Sequence, residues 1–142
     1  MKISIGSDHA GFDVKRDLIE YLKSKGYAIL DCGTDSNESV DYPEFAHKVG
    51  FTITKLEANK GIVICGSGIG VSISANKLKG IRCALCTSEN HAVMSRKHND
   101  SNVLALGARM TDFEMIKKIT EIWLSTEFEG GRHQRRIEKI EV

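Results

Sequence analysis

The segment GIVICGSGIGVSISANK, residues 61–77, joins an apolar run to a glycine-rich turn and then to a helix-forming stretch. The run GIVIC has the unbroken apolar character of a strand that is buried on both faces of a parallel sheet. Gly66, Gly68 and Gly70 follow at intervals of two and allow a tight turn with positive φ angles. A strand, a glycine loop and a helix in this order predict an α/β fold with an anion-binding loop.

The same alternation recurs along the whole chain. Short apolar or β-branched runs predict five strands, at KISIG, YAILDCG, GIVIC, IRCALCT and NVLALG. Helical spacing of apolar residues predicts helices over 12–25, 42–57, 71–79, 88–98 and 111–126. This order is typical of a single-domain, Rossmann-like three-layer α/β/α sandwich with a five-stranded parallel sheet, here spanning residues 1–142. Residues 128–142 are predicted to form a short basic C-terminal helix or arm.

The charge balance limits the classes of partner. The 142 residues include 20 Lys and Arg and 19 Asp and Glu, for a formal net charge of +1. Such a balance argues against a protein that coats nucleic acid or an anionic membrane. We find neither a secretory signal nor a membrane span in the sequence, so we expect a cytoplasmic protein. The four cysteines are too few and too scattered for a disulfide framework.

The glycine loop differs from three familiar phosphate-binding motifs. A dinucleotide fingerprint needs a third glycine where Val71 stands, and the Gly-Lys-Ser/Thr of a P-loop is absent. A cysteine phosphatase loop needs an arginine, and Val71 again occupies that position. The loop is therefore expected to be an anion or oxyanion cradle of another kind.

Cys65 stands directly before this loop. An isolated buried cysteine is usually just a small apolar core residue. The end of a strand beside a helix N-terminus, however, favours a reactive thiolate, so we predict a reactive role for Cys65. Cys83 and Cys86 form a C-x-x-C pair within a predicted strand, where positions three apart face opposite sides of the sheet. Redox or metal roles are therefore not favoured for these two, and Cys32 is interpreted as structural.

Candidate acids and bases follow other predicted strands and helices. Asp8 and His9 end the first strand, and His98 and Asn99 lie between the fourth helix and the fifth strand. Surface or helix-capping roles and a shared acid/base role fit these residues about equally well.

Three arginines are candidate phosphate ligands. Arg132 and Arg136 are four apart and share a helix face, and Arg109 follows the fifth strand. A solvated basic tail is the simpler alternative for the C-terminal pair, and Arg135 is expected to face elsewhere.

This inventory fits proton transfer on a small phosphorylated carbonyl compound. A thiolate can remove a proton next to a carbonyl, and main-chain N–H groups can stabilise the resulting enediolate. Arginines that hold the phosphate supply binding energy remote from the reacting carbons.

Five segments resemble the type B ribose-5-phosphate isomerases of the ribose/galactose isomerase family. They are GSDHAGF, DYPEFA, GIVICGSGIGVSISANK, SRKHNDSNVLALGAR and EFEGGRHQRRIEKI, and they span nearly the whole chain. The family also includes galactose-6-phosphate and allose-6-phosphate isomerases. The resemblance implies that the protein interconverts ribose 5-phosphate and ribulose 5-phosphate through an enediolate, without a metal or other cofactor.

The resemblance also implies a role for individual residues. Cys65 is the base, His98 aids opening of the sugar ring, and Asp8 acts on a sugar hydroxyl. The remaining implied residues bind substrate: His9, Tyr42, Gly66, Ser67, Gly68, Ile69, Gly70, Asn99, Arg109, Arg132 and Arg136. The family implies a homodimer, or a dimer of dimers, with the arm reaching the partner subunit.

Two alternatives stay open at the level of sequence. One is an isomerase of a six-carbon aldose phosphate such as allose 6-phosphate, which shares the chemistry and differs in pocket length. The other is a non-catalytic module that binds a sugar phosphate through the glycine loop. Turnover separates the second alternative from both enzymes.

Overall fold

Five parallel strands form one sheet at the centre of the computed structural model, which describes residues 1–142. The strands are β1 (Lys2–Ser7), β2 (Ala28–Asp31), β3 (Lys60–Cys65), β4 (Cys83–Leu85) and β5 (Val103–Gly107), and their order in the sheet is β2-β1-β3-β5-β4. All neighbouring pairs are parallel. The five predicted strands are confirmed, although β2 and β4 are shorter than predicted and lie at the two edges of the sheet.

Six helices cover the sheet. They are α1 (Phe12–Ser24), α2 (Tyr42–Thr54), α3 (Ile69–Asn76), α4 (Glu89–Lys97), α5 (Phe113–Ser125) and α6 (Arg132–Ile137). The side chains of Ser88 and Asp112 cap α4 and α5 by accepting hydrogen bonds from main-chain N–H groups. Pro43 lies in the first turn of α2, where its missing N–H costs nothing. None of these helices is both long enough and apolar enough to cross a lipid bilayer.

The core consists of two apolar clusters, one on each face of the sheet. Ile62 and Ile64 of β3 point into a cluster that also contains residues of α1, α4 and α5. Val63 and Cys65 point the other way, into a cluster built with α2 and α3. This alternation follows from the period of two along a strand, and it confirms the three-layer α/β/α architecture.

Ser101 and Trp123 form a buried hydrogen-bonded pair, with Trp123 on α5 and Ser101 in the segment between α4 and β5. The indole Nε1–H of Trp123 donates a hydrogen bond to Ser101 Oγ at 2.8 Å, and both residues are almost fully buried. The ammonium group of Lys60 lies 5.1 Å from the Trp123 ring centroid. Burial lowers the pKa of Lys60 to about 8, because a half-buried ammonium loses hydration.

The strand order creates a crevice between β1 and β3. The chain leaves β1 through α1 towards β2, whereas it leaves β3 through α3 towards β4 on the other side of the sheet. Since α1 and α3 pack on opposite faces, the loops that follow β1 and β3 diverge. In open α/β sheets, ligands bind at such a point, beyond the carboxyl ends of the strands.

Candidate active site

A cavity of about 450 Å³ opens at this crevice. Most residues singled out in the sequence line it, namely Asp8, His9, Tyr42, Cys65, Gly66, Ser67, Ile69, Gly70 and Arg109, together with Ala10 and Ile73. They come from the segments after β1, β3 and β5 and from the start of α2. The parallel sheet brings these distant segments together because all its strands end at the same edge.

Cys65 forms part of the cavity lining, although only 5% of the residue is exposed. It is the last residue of β3, and its Sγ accepts a hydrogen bond from the main-chain N–H of Gly68 at 3.1 Å. Gly68 has a φ of 79°, a left-handed conformation that favours glycine. This conformation turns the loop back over the sulfur, and α3 then begins at Ile69, two residues earlier than predicted.

The glycine loop is held against the end of β5 by main-chain contacts. The N–H groups of Ala108 and Arg109 donate to the carbonyl oxygens of Cys65 and Gly66, both at 2.9 Å. A Cβ placed on Gly107 would lie 2.5 Å from the carbonyl oxygen of Ser67. Gly107 therefore allows a close approach that no other residue permits, and β5 fixes the position of the loop.

Asp8 and His9 form the wall on the side of β1. Asp8 is 7% exposed, and its Oδ1 accepts a hydrogen bond from the N–H of Gly11 at 3.1 Å. The Nδ1 of His9 accepts from the N–H of Val40 at 3.2 Å. Because Nδ1 is an acceptor, a neutral His9 carries its proton on Nε2 and can donate to a ligand.

Tyr42 and Arg109 form the rest of the wall. The Tyr42 ring packs over Gly70 so closely that a Cβ at position 70 would lie 2.5 Å from it. Arg109 packs beside Gly66 and contributes the one cationic side chain of the cavity lining. The cavity thus combines a thiol, a carboxylate, an imidazole and a guanidinium around a glycine loop.

Five predicted site residues do not line this cavity: Gly68, His98, Asn99, Arg132 and Arg136. Gly68 remains next to it, since its N–H donates to the Cys65 sulfur. His98 follows α4 as its C-terminal cap, and Asn99 lines a separate cavity beside Arg82. Arg132 and Arg136 lie on α6, which buries His133 and Ile137. Within one chain, the predicted site is therefore divided into a cavity group and a His98–α6 group.

His133 belongs to the second group and is not among the site residues predicted from the sequence. Its ring stacks on that of His98, with 4.3 Å between the centroids and an interplanar angle of 15°. Its Nε2 lies 3.5 Å from Oε2 of Glu129. Burial, followed by the nearby His98, lowers the pKa of His133. The spacing of His133 and Ile137 on one helix face was a signal that could have identified it.

The other cysteines have surroundings of a different kind. Burial raises the pKa of Cys83, and it raises the pKa of Cys86 and of Cys32 to about 11 in each case. Cys83 packs against the α2/α3 cluster, whereas Cys86 belongs to the opposite cluster. The two lie on opposite faces as predicted, and such thiols are poor nucleophiles at neutral pH.

Fold and cavity define a doubly wound α/β protein with a thiol and a glycine-rich loop at its switch point. The family model described as Ribose/Galactose Isomerase matches residues 3–140. Ribose-5-phosphate isomerase B of Escherichia coli is 45% identical over 139 residues, which cover 98% of this chain and 93% of that protein. The chain belongs to the ribose/galactose isomerase family.

Solved structures show the same relationship. Ribose-5-phosphate isomerase B of Clostridium thermocellum superimposes with a TM-score of 0.98 and 52% identity, covering 99% of this chain and 95% of that one. The isomerase B of Mycoplasma genitalium, solved with bound ribulose 5-phosphate, has a TM-score of 0.94 and 42% identity, covering 98% and 93%.

Proposed function

We propose that this chain is an aldose–ketose isomerase that interconverts ribose 5-phosphate and ribulose 5-phosphate. The observation that carries the proposal is the position of the Cys65 sulfur in the lining of the cavity, beneath the glycine loop. The relatives named as ribose-5-phosphate isomerases, one of them with bound ribulose 5-phosphate, support the choice of substrate.

The proposed reaction moves one proton between neighbouring carbons. The Cys65 thiolate removes the proton from C2 of the open-chain aldose, and the C2 electrons form the enediolate double bond with C1. The same thiol returns a proton to C1, while a hydroxyl proton moves from O2 to O1 with the help of Asp8. Reactant and product are isomers, so the reaction needs no external oxidant or reductant.

The glycine loop and the walls of the cavity stabilise the enediolate and bind the rest of the substrate. In this proposal, main-chain N–H groups of the glycine loop stabilise the negative charge that develops on the enediolate oxygens. His9 and Tyr42 bind sugar hydroxyls. The Arg109 guanidinium binds sugar or phosphate oxygens of the substrate.

His98, Asn99, Arg132 and Arg136 complete the site of a second copy of the chain in this proposal. None of the four lines the cavity of its own chain, yet ring opening and phosphate binding require such groups. Among the residues that line the cavity, Ile69 and Ile73 of α3 are 53% and 56% exposed. Two neighbouring apolar side chains on one helix face are suited to burial against a partner.

Turnover by purified protein tests the reaction. We expect ribose 5-phosphate to be converted to ribulose 5-phosphate in the presence of a chelator, and Cys65→Ser to retain the fold and substrate binding while losing most of its kcat. Near-normal turnover by Cys65→Ser would remove the thiol from the mechanism. Comparing kcat/KM for ribose 5-phosphate and allose 6-phosphate decides between pentose and hexose substrates.

Mixing two inactive variants tests the shared site. In a dimer of Cys65→Ser with His98→Asn, one of the two sites receives an intact cysteine and an intact histidine. After random exchange half of the dimers are mixed, so we expect recovery of about one quarter of the parental activity. No recovery, despite verified exchange of subunits, would place His98 in the site of its own chain.

A further inference from the structure

His98, Glu129 and His133 form a cluster of three metal-ligating side chains outside the cavity. One ligand atom from each lies within 4.8 Å of the other two. The cluster joins the end of α4 to the segment before α6 and to α6 itself. We propose that these residues bind a divalent transition-metal ion such as Zn²⁺, and that the bound ion inhibits the enzyme by withdrawing His98 from ring opening.

The separations of the ligand atoms fit a small tetrahedral ion. Zn–N and Zn–O bonds of about 2.0–2.1 Å place neighbouring ligand atoms roughly 3.4 Å apart. His133 Nε2 and Glu129 Oε2 already lie 3.5 Å apart. The ligand atom of the half-buried His98 lies within 4.8 Å of those of Glu129 and His133, so we expect the His98 ring to turn towards them and to leave its stack with His133.

The kind of metal follows from the ligands and from the charge around them. Two imidazoles and one carboxylate are ligands that Zn²⁺ and its transition-metal neighbours bind well, whereas Mg²⁺ and Ca²⁺ prefer oxygen atoms alone. Arg132 and Arg136 lie on the same short helix and repel any cation. The site therefore favours an ion with strong affinity for imidazole, and three protein ligands leave the fourth position to water.

Co²⁺ provides a spectroscopic test of binding that is independent of activity. Titration of the full chain with Co²⁺ is expected to give visible ligand-field bands that saturate at one equivalent and disappear with a chelator. His133→Phe retains a stacked ring without ligand nitrogens, and Glu129→Gln retains the shape of the exposed carboxylate side chain. Each should weaken Co²⁺ binding by more than the roughly 10–100-fold that loss of a supporting outer partner costs.

Two control variants complete the binding test. Glu127→Gln changes a neighbouring exposed carboxylate outside the cluster, and Cys65→Ser removes the thiol of the cavity. Both should bind Co²⁺ like the parent chain. The proposal is overturned by the absence of bands, by bands that persist in both cluster variants, or by bands that disappear in Cys65→Ser.

Inhibition is measured separately, since it rests on the proposed isomerase function. Zn²⁺ should inhibit turnover by the parent and by Glu127→Gln. Glu129→Gln should keep its turnover at Zn²⁺ concentrations that abolish turnover by the parent. Equal inhibition of Glu129→Gln and the parent would refute the inhibitory role. A chain that binds Co²⁺ through the cluster but does not isomerise ribose 5-phosphate would refute the proposed function alone.

Discussion

Replacing Gly107 by alanine should displace the glycine loop and slow catalysis without removing any group that contacts substrate. The added Cβ would lie 2.5 Å from the Ser67 carbonyl oxygen, whereas real Cβ contacts are essentially never shorter than 3.0 Å. The loop or the end of β5 must therefore move by at least about 0.5 Å, because both partners are main chain. Overpacking of this kind costs about 1–3 kcal/mol of stability.

The effect on turnover follows from the same displacement. A misplacement of about 1 Å can cost roughly 100-fold in rate, so about half that distance should cost roughly tenfold in kcat. The assay is the formation of ribulose 5-phosphate at saturating ribose 5-phosphate, with thermal unfolding measured on the same samples. The loss should appear mainly in kcat, since the side chains that bind substrate are retained.

Gly61→Ala is the matched control. Its Cβ would lie 2.5 Å from a side-chain methyl of Val49, at the opposite end of β3 and about 13 Å along the strand from Cys65. This variant should lose stability but keep its kcat. If Gly107→Ala folds and keeps its kcat within about twofold of the parent, the argument that β5 positions the loop is wrong.

Three further outcomes are expected. Ser101→Ala leaves the buried Trp123 N–H without a partner and should lower the free energy of unfolding, measured in urea, by about 1–3 kcal/mol. The control Ser125→Ala, at the exposed end of α5, should change it by less than about 0.5 kcal/mol. Equal losses in the two variants would refute the role of the Trp123–Ser101 hydrogen bond. Lys60→Met should raise Tm at pH 7, because the folded protein binds the Lys60 proton more weakly than the unfolded chain does. The parent gains stability as pH rises from about 8 towards 10.5, so the Tm difference between variant and parent should shrink over that interval. A Tm difference that stays constant would contradict the lowered pKa. Arg136→Ala should raise KM for ribose 5-phosphate by roughly tenfold or more, whereas Arg135→Ala should not, and an unchanged KM in the first variant would remove Arg136 from phosphate binding.

The periodic segments of the chain could be located from the sequence because burial on both faces of a central strand has a clear signature. GIVIC and NVLALG are continuous apolar runs, and they became the central strands β3 and β5. The edge strand β4 is shorter than predicted, since the apolar character of IRCALCT continues into residues that pack beyond the strand, such as Cys86. The early start of α3 depends on the left-handed Gly68, and a count of apolar residues does not detect such a cap.

The candidate site was only partly predictable, for a geometric reason. Residues that directly follow parallel strands must meet at one edge of the sheet, so Asp8, Cys65 and Arg109 could be grouped correctly. No such rule places α6, which depends on how a short tail packs. The spacing of His133 and Ile137 could indicate that His133 is buried, but not that it contacts His98 or that His98 lies outside the cavity lined by Cys65.

The hydrogen bonds from Ala108 and Arg109 couple opening of the glycine loop to disruption of the central sheet. Deuterium should enter these two amides only when β3 and β5 separate, and not through local fluctuations of a surface loop. Heating should consequently disrupt the Cys65 loop and the central sheet over the same interval, so that any earlier loss of turnover would come from separation of the two subunits proposed to share the site.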